Sequence, residues 1–445
     1  MTTTLLPPRP ELPGPGRRST AAARTRLVLS ALAVCWAVTR AVMLVLLARD
    51  GRFPLGVGGI AREVHELYFH WSQVLAQGAF PLDDPLWQYP PAAGPVLLAP
   101  GLLPGLSYFQ GFVALALFAD AVVACALVRA GRRPGCGLAG AALWVGGLPL
   151  LLHVPLARYD VYVTALAVLA LLCVARRPRA AGVLAALGAL VKVWPALTLL
   201  GTPRGRGTRA AWGAALVAAA ALLLALAVLF AHPFAFLRQQ GGRGVQIESL
   251  GGTALAFARL AGQPLRVEYR FGAMEFTGPQ VAAVAQVSLA ATVLACAALL
   301  LWRVRARHWT EATPFDAALC AVLLFTVTSR VISPQYLIWL LGLAAVCLTS
   351  RATSQRPAAA LVTAAAAVST LVYPLLYEDV MTGTWTGVLA LLVRNVLLVT
   401  AVLLSWRGLW RSTVSVEPPL RTDRTGRTGR TCDSLIKPHQ SDNSS

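Results

Sequence analysis

Charge is what this 445-residue sequence has least of. Asp, Glu, Lys and Arg together make up 13% of it, about half the share usual in a soluble domain. Water is therefore not its main solvent, and a charge-dense nucleic-acid-binding face is excluded with it. At 57% apolar residues the chain is also far too hydrophobic to be disordered. Lysine is nearly missing: of 39 basic residues only Lys192 and Lys437 are lysines. Acids number 19, so the formal charge is +20. Cysteine lacks the spacings that carry chemistry. Cys35, Cys125, Cys173, Cys296, Cys320 and Cys347 fall inside apolar runs, Cys136 and Cys432 do not, and no CxxC or Cys/His pattern occurs. A disulfide framework and a zinc site are both disfavoured. With no Asp-x-Asp either, no obligatory metal is expected.

What is there is apolar sequence in long runs, with a mean hydropathy of +0.63. A spanning helix needs about 20 such residues. Runs at 27–48, 108–129, 137–155, 160–175, 209–231, 280–302, 314–329, 333–349, 357–376 and 385–406 predict ten spans. Arginines cluster at 17–26, 129–133, 176–179, 204–209, 303–307, 351–356 and from 407. Lys and Arg collect in cytoplasmic loops, so both termini are expected inside, and 49–91, 156–159, 232–279, 328–335 and 377–384 outside. The alternation requires both ends of 180–200 to be cytoplasmic. That segment, interrupted at Lys192-Val193-Trp194-Pro195, is then re-entrant, the alternative being a span that breaks the arginine pattern. The first run is too long for a signal peptide core and reads as an uncleaved span. Residues 1–26 and 407–445 read as disordered cytoplasmic ends around a membrane domain at 27–406. The Arg-Thr-Gly repeats near 424–430 read as a solvated tail. The expected fold class is thus an all-α polytopic membrane protein.

The first outer loop concentrates the polar chemistry. Residues 60–77 predict a helix stopped by Gly78, with Glu63, Glu66 and His70 on one face. Asp83 and Asp84 follow, then Trp87-Gln88-Tyr89-Pro90-Pro91. A plainer reading makes this an interfacial helix whose Trp71, Trp87 and Tyr89 form an aromatic belt. Cations outside the arginine clusters are few. Arg158 precedes Asp160 in a very short outer connection, which allows a local ion pair as the alternative to a functional role. Arg330 ends a span beside Gln335 and Tyr336, and Lys192 sits inside an apolar segment, where a charge is a functional candidate by default. Arg40, near the outer end of its span, reads as snorkelling. The loop 232–279 mixes Arg238, Gln239, Gln240, Arg243, Gln246, Glu248, Arg266, Glu268, Tyr269, Arg270 and Glu275, a composition that suits a sugar or an ordinary loop helix equally. His153 and His232 read as boundary residues, and the Trp-rich pieces 302–309 and 406–410 as interface anchors.

Glu63, Val64 and Tyr68, then Gly78, Pro81 and Asp84, then Trp87-Gln88-Tyr89-Pro90-Pro91 together resemble glycosyltransferase family 87 of the GT-C superfamily. Ala157-Arg158-Tyr159-Asp160-Val161, Leu190-Val191-Lys192-Val193-Trp194-Pro195, Arg243 to Ser249, and Ser329 to Tyr336 extend the resemblance over about residues 27–406. It implies a GT-C-like bundle of about 10–11 transmembrane helices with a helical first outer loop and an extracytoplasmic active site. The implied donor is a polyprenyl-phosphate sugar, with mannose ahead of arabinose, and the implied acceptor a lipid or glycan hydroxyl. The lysine-poor, Arg/Ala/Gly-rich composition suggests a GC-rich source, in which such enzymes build lipoglycans and other envelope glycans.

The family places its catalytic carboxylate in the first outer loop, usually as Asp where this chain has Glu63. Inverting transfer needs a base for the acceptor hydroxyl and a cationic site for the departing phosphate. Glu63 is favoured as base, with Glu66 next. Arg158, Lys192 and Arg330 are expected at the donor phosphate. Tyr68, His70, Asp84, Tyr89, Asp160, Gln246, Glu248, Gln335 and Tyr336 are expected around the substrates, Asp84 doubling as a turn residue. No cofactor is expected, since the lipid-linked sugar is a substrate, and no nucleic-acid partner. A transporter or flippase of a polyprenyl-linked substrate is the runner-up, and a structural partner in an envelope-synthesis complex the third reading.

Overall fold

The computed structural model describes residues 15–52, 56–82, 84–240 and 244–415. The expectations for 1–14, Asp83, Arg243 and the tail from 416, with its Arg-Thr-Gly repeats, Cys432 and Lys437, lie outside the described residues. So do those resting on the side chains of Arg17, Arg18, Arg238, Gln239 and Gln240.

Helices dominate: α1 (Pro15–Ala48), α2 (Phe69–Ala76), α3 (Ala93–Leu98), α4 (Tyr108–Gly131), α5 (Ala139–Gly147), α6 (Asp160–Cys173), α7 (Pro178–Val191), α8 (Arg206–Leu229), α9 (Leu250–Leu260), α10 (Val281–Arg305), α11 (Thr313–Thr328), α12 (Tyr336–Thr349), α13 (Arg356–Thr370), α14 (Tyr377–Thr382) and α15 (Trp385–Thr413). Among the described residues six helices are long and apolar enough to cross a membrane: Ala23–Ala48 of α1, α4, α8, α10, Arg356–Leu375 and α15. The expected spans at 137–155, 160–175, 314–329 and 333–349 are instead shorter apolar helices. The difference follows from position. α12 is buried on every side, whereas α8 and α10 expose most of their apolar surface. A helix apolar all round belongs inside the bundle, ringed by the long ones that face lipid. Small residues allow the inner helices to close up: a Cβ on Gly140 of α5 would lie 2.1 Å from the Ala345 carbonyl oxygen of α12.

The segment after α6 turns back on itself. α7 runs to Val191, Lys192 is extended, and a 3-10 turn, Trp194–Leu199, doubles back along α7. Pro195 packs against Gly188, while Gly201 lies on Pro314 at the start of α11. Arg204 donates to the carbonyls of Arg303 and Val304 at 2.7 Å. Both ends of the hairpin therefore stand at one end of the bundle, the end that carries the arginine clusters, and Lys192 is its apex.

The loop between α8 and α10 is not simply helical. Strands β1 (Val245–Gln246), β2 (Arg266–Arg270) and β3 (Ala273–Thr277) form an antiparallel sheet in the order β1-β3-β2, with Arg270 opposite Ala273. α9 packs beneath the sheet in a small core of its own with Val245, Ile247, Phe276 and Val388.

Three expectations are corrected by burial. Arg40 does not snorkel: its Nε and Nη2 grip Asp120 of α4 at 2.7 and 2.8 Å, and the pair is 2% and 1% exposed. Trp144 Nε1 donates to the same carboxylate, so the charge is fully partnered inside. Trp71 and Trp87 are no aromatic belt but core residues, stacked edge to face. Trp302 is buried against Leu409 and donates to Thr413 at 2.9 Å, so it ties α10 to α15 rather than anchoring the interface.

Candidate active site

At the end of the bundle opposite the arginine clusters lies a cavity of about 790 Å³, within the range of small-molecule sites. Its walls come from the first loop, the hairpin apex, the β2–β3 turn and the start of α12.

The first loop is pinned at its beginning by Asp50, which accepts from the Ala61 N–H at 2.7 Å. Glu63–Tyr68 then forms a π-helical turn that runs into α2, and Gly78 closes the element with a φ of +80° that suits glycine. Glu63, Glu66 and His70 all face the cavity. They differ in their partners. Glu66 is 73% exposed and among the described residues pairs only with Arg62, at 3.7 Å. Glu63 Oε2 is held by Arg158 Nη2 at 2.6 Å, and its other oxygen lies 3.4 Å from the Tyr68 hydroxyl.

Arg158 follows a 3-10 turn, Val154–Ala157, and is anchored by donating Nη1 to the carbonyls of Ile60 and Ala157 at 2.9 and 2.8 Å. Its expected alternative partner, Asp160, is engaged elsewhere. Burial disfavours the guanidinium charge, but Glu63 together with Tyr68, Tyr373 and Tyr89 outweighs that and holds the pKa above the ordinary arginine value. The same burial raises the Tyr68 phenol well above its usual range, keeping it a hydrogen-bond donor.

Lys192 lies in an aromatic cage. Its Nζ is 4.9 Å from the Tyr159 ring, 5.0 Å from Trp339, 5.9 Å from Tyr336 and 6.0 Å from Tyr89. Asp160, at the first residue of α6 and fully buried, holds Nζ at 2.6 Å and accepts from Trp339 Nε1 at 2.6 Å on the same oxygen. Cation–π contacts and one carboxylate thus stabilise an ammonium that the apolar surroundings would otherwise disfavour.

The opposite wall carries Gln246 and Glu248. Gln246 Oε1 accepts from the Ile332 N–H at 2.8 Å and its backbone N–H donates to the Arg330 carbonyl at 3.0 Å, so the loop is stitched to the α11–α12 connection. Glu248 is buried against Arg394 of α15 at 2.6 Å, and Arg394 also donates to the Glu248 carbonyl. Burial raises the Glu248 pKa, against the opposing pull of Arg394.

Of the residues expected around substrate, Glu63, Glu66, His70, Tyr89, Arg158, Lys192, Gln246, Glu248, Gln335 and Tyr336 share this cavity wall. Tyr68, Asp84 and Asp160 stand behind it. Asp84 accepts from Trp71 Nε1 at 2.6 Å and from the Leu86 N–H at 2.8 Å, the bonding of a turn residue. Half-buried Arg330 is off the wall, although Val331 and Ser333 are on it. The sequence reading missed Trp339, Tyr159, Tyr373 and the β2–β3 turn, whose Phe271 carbonyl accepts from Gln88 at 3.3 Å. It also missed Arg394, although a lone arginine in an apolar run carries the same signal that marks Lys192.

A polytopic helical protein with a polar, aromatic-lined cleft at one end is the class this architecture defines. Residues 87–268, about two-fifths of the chain, match the family model of glycosyltransferase family 87, a likeness that supports a glycosyltransferase of the GT-C type. The matched stretch holds Tyr89, Arg158, Asp160, Lys192, Gln246 and Glu248, whereas Glu63 and Glu66 precede it. No curated protein and no solved structure matches the chain.

Proposed function

We propose that the protein transfers a hexose, mannose by the family resemblance, from a polyprenyl-phosphate donor to a hydroxyl of a lipid or glycan acceptor, with inversion. Glu63 is the base. Its carboxylate is oriented by Arg158 and presented to the cavity, and it takes the acceptor proton as the new C1–O bond forms on the face opposite the departing phosphate. Lys192 meets that phosphate as the C1–O–P linkage breaks, and its cage of rings leaves the ammonium little choice of position. In this reading Arg158 acts through Glu63, and Arg330 has no direct part.

The observation that carries the donor class is the charge balance of the cleft. Arg158 is paired with Glu63, Lys192 with Asp160, and Arg394 with Glu248. A nearly neutral cleft suits a singly charged phosphodiester better than the multiply charged diphosphate of a sugar nucleotide. The arginine clusters at the other end support a cytoplasmic reading of that end, and with it a cleft on the extracytoplasmic face of a cell membrane, where lipid-linked sugars rather than nucleotide sugars are the donors.

The test is transfer by purified protein from radiolabelled polyprenyl-phosphate mannose to membrane lipid acceptors, with a nucleotide sugar as the competing donor. Wild type is expected to transfer from the lipid-linked donor alone, and Glu63→Gln to lose about 10²–10⁴-fold in rate, the usual worth of a general base. Transfer from the nucleotide sugar, or full activity in Glu63→Gln, would sink this reading.

A further inference from the structure

A second, larger cavity of about 1260 Å³ opens at the basic end, between α1, α4 and α6. Its wall is apolar, built from Leu29, Leu32 and Trp36 of α1, Ala124 of α4, and Leu169 and Leu172 of α6. It exists because α1 stands off from α4 and leans on the bundle through the Arg40–Asp120 pair, above which Trp36 Nε1 donates to Asp120 at 2.7 Å. Five arginines line the same cavity: Arg129, Arg132 and Arg133 where α4 ends, Arg176 and Arg177 where α6 ends. Among the described residues none of the five is in an ion pair with a carboxylate.

An apolar gap beside a peripheral helix fills with hydrocarbon in a bilayer, and a guanidinium cluster at its mouth selects the headgroup. Guanidinium forks match phosphate oxygens in geometry and charge, and basic pockets between membrane helices hold anionic lipid headgroups. We propose that this groove binds an anionic phospholipid of the leaflet at the basic end, its phosphate on the five arginines and an acyl chain against α1, α4 and α6. The site shares no residue with the sugar-transfer cleft and stands whether or not that reading holds.

The experiment is native mass spectrometry of the purified full chain offered equimolar phosphatidylglycerol and phosphatidylcholine. Wild type is expected to retain phosphatidylglycerol at least about tenfold over phosphatidylcholine, since each arginine near an anionic lipid changes affinity about fivefold. The triple variant Arg129→Gln/Arg132→Gln/Arg176→Gln is expected to lose that preference. Arg356→Gln/Arg407→Gln/Arg411→Gln, which removes the same charge from outside the groove, is expected to keep it. Equal retention of the two lipids by wild type overturns the proposal without recourse to any variant. So does an unchanged preference in the groove variant, or a control that loses as much. Polyprenyl phosphate displacing phosphatidylglycerol when supplied in equal amount would make the carrier lipid the occupant, and would overturn it too.

Discussion

Under the proposed function Lys192 has both a structural and a functional role, and the two can be separated. Among the described residues its ammonium is the sole counter-charge paired with Asp160, which is buried at the head of α6. Removing one member of such a pair leaves an uncompensated buried charge and typically costs about 3–5 kcal/mol. Lys192→Met should therefore lower Tm sharply and abolish transfer. The double variant Lys192→Met/Asp160→Asn removes both charges and should regain most of the lost Tm while remaining inactive. Recovery of transfer in the double variant would mean that Lys192 serves only Asp160 and that the phosphate is met elsewhere. The residue was legible in the sequence because an ionisable group inside an apolar run is costly. The same reasoning applies to Asp120 and Arg394. Arg40 was misread because its partner lies 80 residues away on α4, and one sequence does not show which distant acid a buried arginine will meet.

At the scale of elements, the α7 hairpin decides the shape of the cleft, because it alone carries Lys192 to the level of Asp160 and Trp339. Its turning back is legible in the arginine pattern on both sides of 180–200, and Gly188 against Pro195 is the contact that closes it. An impermeant thiol reagent applied to intact cells should leave Arg206→Cys unlabelled and should label Gln263→Cys, which is exposed in the loop between α9 and β2. Labelling of Arg206→Cys from outside would place the start of α7 and the end of its returning 3-10 segment on opposite faces and refute the re-entrant hairpin. The loop helix through Glu63 and His70 was equally legible, with Gly78 as its stop. The β2–β3 hairpin was not. Its two-residue turn is Phe271-Gly272, both at positive φ, and phenylalanine at the first position lacks the Asn-Gly or Asp-Gly signature that announces such turns.

For the whole molecule, the decisive question is what fixes the end cap, which contributes Gln246, Glu248 and the β2–β3 turn, over the bundle, which contributes Lys192 and Tyr336. α8 and α10 contribute little to it, since most of their apolar surface is exposed. The connection is polar: Arg394, inside α15, donates to the Glu248 carboxylate and carbonyl, and Asn395 donates to Thr253 at the start of α9 at 2.7 Å. Both α15 residues are buried, so the bonds act at low dielectric, where a satisfied network specifies one arrangement and a broken one is costly. Arg394→Met should accordingly lower Tm by the equivalent of about 3–5 kcal/mol. Pairing it with Glu248→Leu removes the stranded carboxylate and should restore much of that stability. It should not fully restore the position of the cap, because the Arg394 bond to the residue 248 carbonyl is lost and only the one from Asn395, at 3.2 Å, remains. The double variant is thus expected to melt near wild type yet show KM for the acceptor raised about tenfold or more, with donor KM, set at Lys192, little changed. Wild-type KM for both substrates in a stable double variant would show that the remaining contacts, Asn395 with Thr253 and Gln246 with Arg330 and Ile332 among them, suffice to hold the cap, and that the Arg394–Glu248 pair is dispensable to the cleft.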